Sequence, residues 1–386
     1  MKDKRKICII TSTRADFGLL YPLLQEIELD TDLALQLIVT GMHLSPEFGL
    51  TYKEIEKEFE IAHKIEILLS SDTNIGVAKA MGLAQISFAE TLANLKPDVL
   101  VVLGDRYEIF SVAATAMILK IPIAHISGGE LTLGAIDDSI RHSITKMSHI
   151  HFVSTNEYKN RVEQLGEKPE HIFNFGEAGL DNIKKLNLLS KKEFEKSIDF
   201  KLNKKNLLIT YHPTTLEQLD KTKKDFEQII KHLDILKDTN LIFTKSNSDE
   251  GGRMINEMIL NYVNAHTEKA ILFSSLGQLR YLSALQYVDA VVGNTSSGIV
   301  EAPSFKIGTI NIGNRQKGRI QAQNVINTVP SKLNEAFDKL YSTEFKQKLK
   351  TVKNPYYKTG NASFKTKEIL KNINLKNIIN KTFIDK

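Results

Sequence analysis

Short runs of β-branched and aliphatic residues alternate with segments of helical period along almost the whole chain, and that alternation leaves few folds open. Runs at 7–10, 35–40, 64–69, 99–103, 121–126, 151–153 and 172–175 read as strands. Helical patterns begin near Leu19 and Tyr52 and cover 76–95 and 158–165. Strands alternating with helices imply right-handed βαβ units and a parallel sheet covered on both faces. The expected class is therefore α/β, with a Rossmann-like doubly wound domain over residues 1–185.

Between 180 and 205 the strand signal vanishes and Lys, Asn and Glu take over, which reads as a helical linker over 186–205. A second series of runs follows at 206–211, 240–244, 270–273, 290–293 and 309–312, giving a second Rossmann-like, nucleotide-binding domain over 206–364. Residues 365–386 read as a C-terminal helix. With 386 residues, 42% of them hydrophobic, each domain can bury a full core. Two doubly wound domains presenting strand ends to a central cleft make a GT-B-like architecture.

Charge and cysteine content narrow the partners. The net charge of +5 comes from Lys spread over the chain, with no basic face interleaved with aromatics, so nucleic acid is not an expected partner. A phosphate-bearing substrate suits the balance better. The single Cys8 lies in an apolar run, where a small buried hydrophobe is the default, and one cysteine forms no disulfide within the chain. That first run is too short for a signal segment or a membrane span, so a cytoplasmic protein without membrane contact is expected.

In an open parallel sheet, ligands sit at the carboxyl ends of the strands. The loops after 99–103 and 121–126 carry Asp105, Arg106, His125, Glu130, Asp137, Asp138, Arg141 and His142, too many ionisable groups for ordinary turns. They read as an active site. The first strand ends in TSTRADFG, which lacks the glycine fingerprint of NAD or FAD sites. Arg14 there can grip a phosphate or carboxylate, or can pair locally with Asp16. His43 in VTGMH and His212 in ITYHP each follow a strand directly, and a lone histidine in such a place has a structural reading beside the catalytic one. In VGNTSSGIVEAP, the hydroxyls of Thr295, Ser296 and Ser297 and the free amides of a helix start form an anion seat suited to a diphosphate. Glu301, one turn on, can accept ribose hydroxyls or remain a solvated side chain. Arg315 and Arg319 can reinforce the phosphate site. No Cys/His cluster has metal spacing, so no metal is expected.

Taken in order, TRADFG, VTGMH, GDRYE, the HISGGE to DDSIRH loop, ITKMSHIHF, YHP, GNTSSGIVEAP, NRQKGR and GNAS make nearly the whole chain resemble the hydrolysing UDP-N-acetylglucosamine 2-epimerases of sialic acid biosynthesis. The resemblance implies a GT-B-like fold, a homodimer, and conversion of UDP-GlcNAc to ManNAc and UDP without cofactor or catalytic metal. It makes Arg14, His212, Thr295, Ser296, Glu301 and Arg315 nucleotide-site residues and places His43, Asp105, Asp137 and Arg141 on the sugar side. Asp181, in GEAGLDNI, matches a further acidic position. Members reading HIEGGE have a catalytic glutamate where this chain has Ser127, while Glu130 remains. Branches of the family act on GDP-linked or 6-deoxy diacetamido sugars.

The chemistry such a reaction needs is specific. In an α-linked GlcNAc the C1 diphosphate and the C2 hydrogen are axial on opposite faces, which favours anti elimination to a 2-acetamidoglycal. A base from Asp105, Glu130 or Asp137, with His43, Arg141 and His212 completing the expected catalytic set, would take the C2 proton. Arg14, Ser297 and its helix start, and Arg315 would stabilise the departing nucleotide. Hydration from the other face gives the 2-epimer. A GT-B glycosyltransferase and a sugar-nucleotide sensor are the competing readings, separated by whether UDP-GlcNAc alone is turned over.

Overall fold

The computed structural model describes residues 4–71 and 73–385; residues 1–3 and Asp72 of the expected first domain and Lys386 of the expected terminal helix lie outside the described residues. Among the described residues, the first sheet comprises β1 Arg5–Thr11, β2 Leu33–Thr40, β3 Ile61–Ile65, β4 Val99–Leu103, β5 Ile123–Ile126, β6 Ile150–Val153 and β7 Ile172–Asn174. Their order is β3-β2-β1-β4-β5-β6-β7, and every pairing is parallel. β4 reads VLVVL and is buried at each residue, as expected of a strand covered on both faces. Cys8, Phe88, Leu100, Val112 and Ile144 pack in one core of this unit.

The second sheet comprises β8 Lys205–Thr210, β9 Thr239–Thr244, β10 Ala270–Phe273, β11 Ala290–Gly293, β12 Gly308–Ile312 and β13 Val325–Thr328, in the order β10-β9-β8-β11-β12-β13 and parallel throughout. Leu207, Phe226, Phe243, Val292 and Phe337 share its core. Both sheets follow the doubly wound order, so the strand order reverses between β1 and β4 in one and between β8 and β11 in the other. Loops after those four strands stand at the two switch points. The expected α/β class with two parallel-sheet units is what the chain forms.

The units are divided differently from the expected boundaries. One takes in Met1–Glu130, Asp137–Lys185 and Tyr356–Lys386; the other takes in Leu131–Ile136 and Leu186–Pro355. Residues 186–205 are not a free linker. Their helix Lys191–Ile198 starts in a capping box of Ser190 and Glu193, and buries Phe194 and Ile198, four apart on one face. Burying a phenylalanine stabilises by roughly 1.5–3 kcal/mol, enough to hold the segment against Tyr287 of the second unit. The helix expected over 365–386 is Ala362–Asn372, and it belongs to the first unit. Arg5 donates to the carbonyls of Leu370 and Ile373 at 2.8 and 3.0 Å, while Lys367 and Lys371 pair with Asp30. β3 ends earlier than the apolar run at 64–69 suggests, because Ile67 enters the core without pairing. β13 has no counterpart among the expected strands.

Candidate active site

In the first unit the side chains converge on Arg141, which the helix Asp137–Met147 projects under the ends of β4 and β5. At 1% exposure its guanidinium is cut off from water and has to be paired within the protein. Nη2 donates to the Asp105 carboxylate, and Nη1 donates to the Ser127 carbonyl at 2.7 Å and stands 3.7 Å from Glu130 Oε2. The Glu130 carboxylate is 2% exposed and also accepts from Ser154 Oγ at 3.5 Å. Asp105 keeps 17% of its side chain exposed, which makes it the reachable carboxylate of this group. Ser127 turns the chain with φ +63°, a left-handed conformation unusual for a residue with a Cβ. That turn aims its carbonyl at Arg141 and lets its hydroxyl donate to Glu177 Oε2 at 3.1 Å.

Glu177 escaped the sequence reading. It is buried in the loop after β7, and only the topology, which sets β7 two strands from β5, brings it to Ser127. Asp137 opens the helix that carries Arg141. Asp138 and His142 face each other one turn apart at 3.6 Å, with burial lowering the histidine pKa.

Two expected site residues, His43 and Asp181, have structural surroundings. His43 is fully buried, with Nε2 2.9 Å from the Thr11 hydroxyl and Nδ1 2.7 Å from that of Thr51. Burial holds its pKa down to about 4, against the pull of nearby Asp16. A ring with both nitrogens engaged inside the fold supports the loop rather than carrying protons to a ligand. Asp16 accepts from the Ser12 and Thr13 amides at 3.0 Å and closes a capping box with Thr13. Arg14 is the first residue of that helix, Arg14–Glu28. Asp181, matched above to a further acidic position, caps the C-terminal helix. Its Oδ2 accepts from the Ser363 amide at 2.8 Å and hydroxyl at 2.7 Å, and the residue is 1% exposed.

In the second unit the loops after β8 and β11 are clasped by Asn294, again unnoticed in the sequence. Its side chain accepts from the His212 amide at 2.8 Å and donates to the His212 carbonyl at 2.7 Å. Its own carbonyl accepts from Gln316 Nε2 at 2.8 Å and Arg315 Nη1 at 3.2 Å. His212, Thr295 and Arg315 are thereby fixed around one residue. Gly293 makes the approach possible: at φ +131°, a Cβ there would lie 2.0 Å from the Thr210 carbonyl oxygen. His212 Nδ1 accepts from the Asn247 amide at 3.2 Å, which puts the proton of the neutral ring on Nε2.

The expected helix after Ser296 is two single turns, Ser297–Val300 and Ala302–Phe305, because Pro303 has no amide to continue the ladder. Anion binding here therefore relies on hydroxyls, amides and Arg315 more than on a long helix dipole. The Thr295 hydroxyl accepts from the Ser297 amide at 3.4 Å, and Tyr281 donates to the Ser297 hydroxyl at 2.6 Å. Burial raises the Glu301 pKa, with a hydrogen bond from Ser297 opposing it. Among the described residues no cluster of His, Cys, Asp and Glu could hold a metal ion, and no helix is long and apolar enough to cross a membrane.

The chain matches known proteins along its length. It is 53% identical over 383 residues, 99% of this chain and 100% of the other, to the GDP/UDP-N,N'-diacetylbacillosamine 2-epimerase (hydrolyzing) of Campylobacter jejuni. It is 36% identical over 387 residues, 99% and 97% of the two chains, to the polysialic acid biosynthesis protein P7 of Escherichia coli. The solved UDP-GlcNAc 2-epimerase of Neisseria meningitidis bound to UDP-GlcNAc shares the fold with a TM-score of 0.78 at 18% identity, over 95% of this chain and 100% of that one. The family model described as UDP-N-acetylglucosamine 2-epimerase matches residues 25–371, and the chain belongs to that family.

Proposed function

We propose that this 2-epimerase is a hydrolysing enzyme that takes a nucleoside-diphosphate-linked diacetamido sugar and releases the nucleoside diphosphate and the free 2-epimer, a precursor of sialic-acid-like nonulosonic acids. The observation that carries the choice of sugar is the 53% identity, over essentially the full chain, to a protein named for diacetylbacillosamine, against 36% over 84% of this chain to a Neisseria meningitidis protein named for UDP-GlcNAc. UDP-GlcNAc, giving ManNAc and UDP, is the second reading.

Each unit carries groups of the kind the reaction needs. In the first, a carboxylate from Asp105, Glu130 or Asp137 removes the C2 proton; the C1–C2 double bond forms as the C1–O bond breaks and the diphosphate leaves with the electron pair. Water then adds its oxygen at C1 and gives up one proton to a carboxylate of the group, while a second, protonated carboxyl delivers its proton to C2 on the face opposite the one from which the first proton left. Arg141 holds Asp105 and Glu130 in place for both steps, and Arg14 offers positive charge to the leaving group. In the second unit, Thr295, Ser296, Ser297 and Arg315 take the phosphates, Glu301 takes the ribose, and the Nε2–H of His212 donates to a phosphate oxygen.

Nucleotide release from a panel of UDP- and GDP-linked sugars tests the reading. Turnover of a diacetamido sugar well above UDP-GlcNAc is expected, with solvent deuterium at C2 of the product in D₂O. Full retention of the original hydrogen at C2 would rule out elimination. A preference for UDP-GlcNAc would leave the mechanism standing and reverse the choice of sugar.

The homodimer belongs to the same proposal. The helix Asn74–Leu95 exposes Ile75, Leu83 and Ile86, and the helix packed on it, Tyr107–Ile118, exposes Met117 and Ile118 at its end. Such an apolar face suits a second copy of the chain. Light scattering should give twice the chain mass for the parent protein and the chain mass for Ile75→Lys/Ile86→Lys.

A further inference from the structure

Away from the catalytic group, the first unit carries a half-open cavity of about 310 Å³. One wall comes from the starts of β6 and β7, with His149 directly before β6 and His171 directly before β7. The other wall is the terminal segment, with Lys376 and Lys381. Ser127, by contrast, follows the end of β5. Since β5 and β6 run parallel, the two places lie at opposite ends of the strands, separated by about 13 Å of strand.

Glu167 is the carboxylate that lines the cavity, and it is fully engaged. Lys146 and Lys381 each donate to it at 2.7 Å and His151 lies 3.0 Å away. Burial alone would push its pKa up, but these hydrogen bonds together hold it down to about 2. Lys381 also donates to the carbonyls of Lys146 and Ser148, both at 2.6 Å, so it pins the terminal segment and has little left to offer a ligand.

Three of the other lining side chains are uncommitted. Among the described residues, the Lys168 and Lys376 ammonium groups and the His171 ring make no hydrogen bond or ion pair, and each lines the cavity. His149 is 8% exposed, and its Nδ1 accepts from the Ile123 amide at 3.1 Å. Burial holds its pKa down to about 4, so the ring is neutral and its proton sits on Nε2, where no protein acceptor meets it. That N–H lines the cavity and can donate to an acceptor held there. Two ammonium groups and two imidazoles around a space at the lower end of small-molecule sites select an oxyanion.

We propose that this cavity is a second, non-catalytic site that binds a small molecule carrying a phosphate or carboxylate, held by Lys168, Lys376, His171 and the Nε2–H of His149. This does not rest on the sugar assigned to the catalytic site.

Calorimetric titration of the full chain with inorganic phosphate, uridine 5'-monophosphate and pyruvate tests it, the three probes separating a free phosphate, a nucleotide phosphate and a carboxylate. At least one should show a binding event that weakens by about tenfold or more in Lys168→Ala/Lys376→Ala and persists in Arg315→Ala. Both lysines lie at the surface of the cavity, so the double variant should fold and keep its turnover. The site is ruled out if none of the three binds at millimolar concentration, if the double variant binds as the parent does, or if Arg315→Ala abolishes the event.

Discussion

Arg141 has no water to fall back on, so Asp105, Glu130 and the Ser127 carbonyl must neutralise it, and in doing so they are held in one place. Asp105 is the member that still reaches solvent. Asp105→Asn keeps an oxygen to accept from Arg141 but removes the base, and kcat should fall by about 10²–10⁴-fold while nucleotide affinity holds. Kinetics beside a UDP titration check this; a variant that turns over normally would move the base to Asp137. Glu130→Gln should lower kcat by ~10²-fold or more, and Ser127→Ala, which deletes one hydroxyl, by far less. Glu177 shows where sequence reading stops at this scale. The GDRYE and DDSIRH segments announce charge beside strand ends. A glutamate fifty residues beyond Ser127 announces nothing until β7 is in register with β6.

At the scale of elements, strands were legible because buried parallel strands must be nearly continuous apolar runs, as VLVVL in β4 is. Segments whose role depends on a distant partner were not. Asp181 looks the same in sequence whether it faces a nucleotide or caps a helix that starts 180 residues later. Asp181→Ala should lower stability by about 0.5–2 kcal/mol through the lost cap and leave UDP affinity unchanged. Denaturant unfolding and a UDP titration together decide it, because a nucleotide contact would instead appear in the affinity. The segment 186–205 was legible as helical from its composition, but its packing on the second unit through Phe194 depends on the distant Tyr287. The turn from Ser297 to Glu301 was legible as a polar loop after a strand, but Asn294 was not, since its clasp on His212 spans the switch point between β8 and β11. Glu301→Ala and Arg315→Ala should each weaken UDP binding by ~1–3 kcal/mol. Unchanged affinity in both would place the nucleotide elsewhere.

The whole molecule repeats one topology twice, yet the two units should differ in their response to acid. His43, His125 and His149 all lie in the first unit, where burial holds them neutral with pKa values lowered to about 4, 3 and 4. His125 shows how tightly they are built in: Nε2 lies 2.8 Å from the Gly104 carbonyl and Nδ1 3.1 Å from the Thr145 hydroxyl. An unfolded histidine protonates near pH 6.5, so between that pH and about 4 the unfolded first unit binds protons that the folded one refuses. Stability therefore falls as pH falls through this window, by at most about 1.4 kcal/mol per pH unit for each histidine, against a total of roughly 5–15 kcal/mol for a domain. The fall should begin in the first unit. The melting temperature is expected to drop steadily from pH 6.5 to 4.5, and hydrogen exchange at pH 5 should show protection lost first in β1, β5 and β6, while β8, β9 and β11 remain protected. A flat melting temperature across that range, or loss of protection starting in β8 to β13, would show that the buried histidines do not set the acid limit.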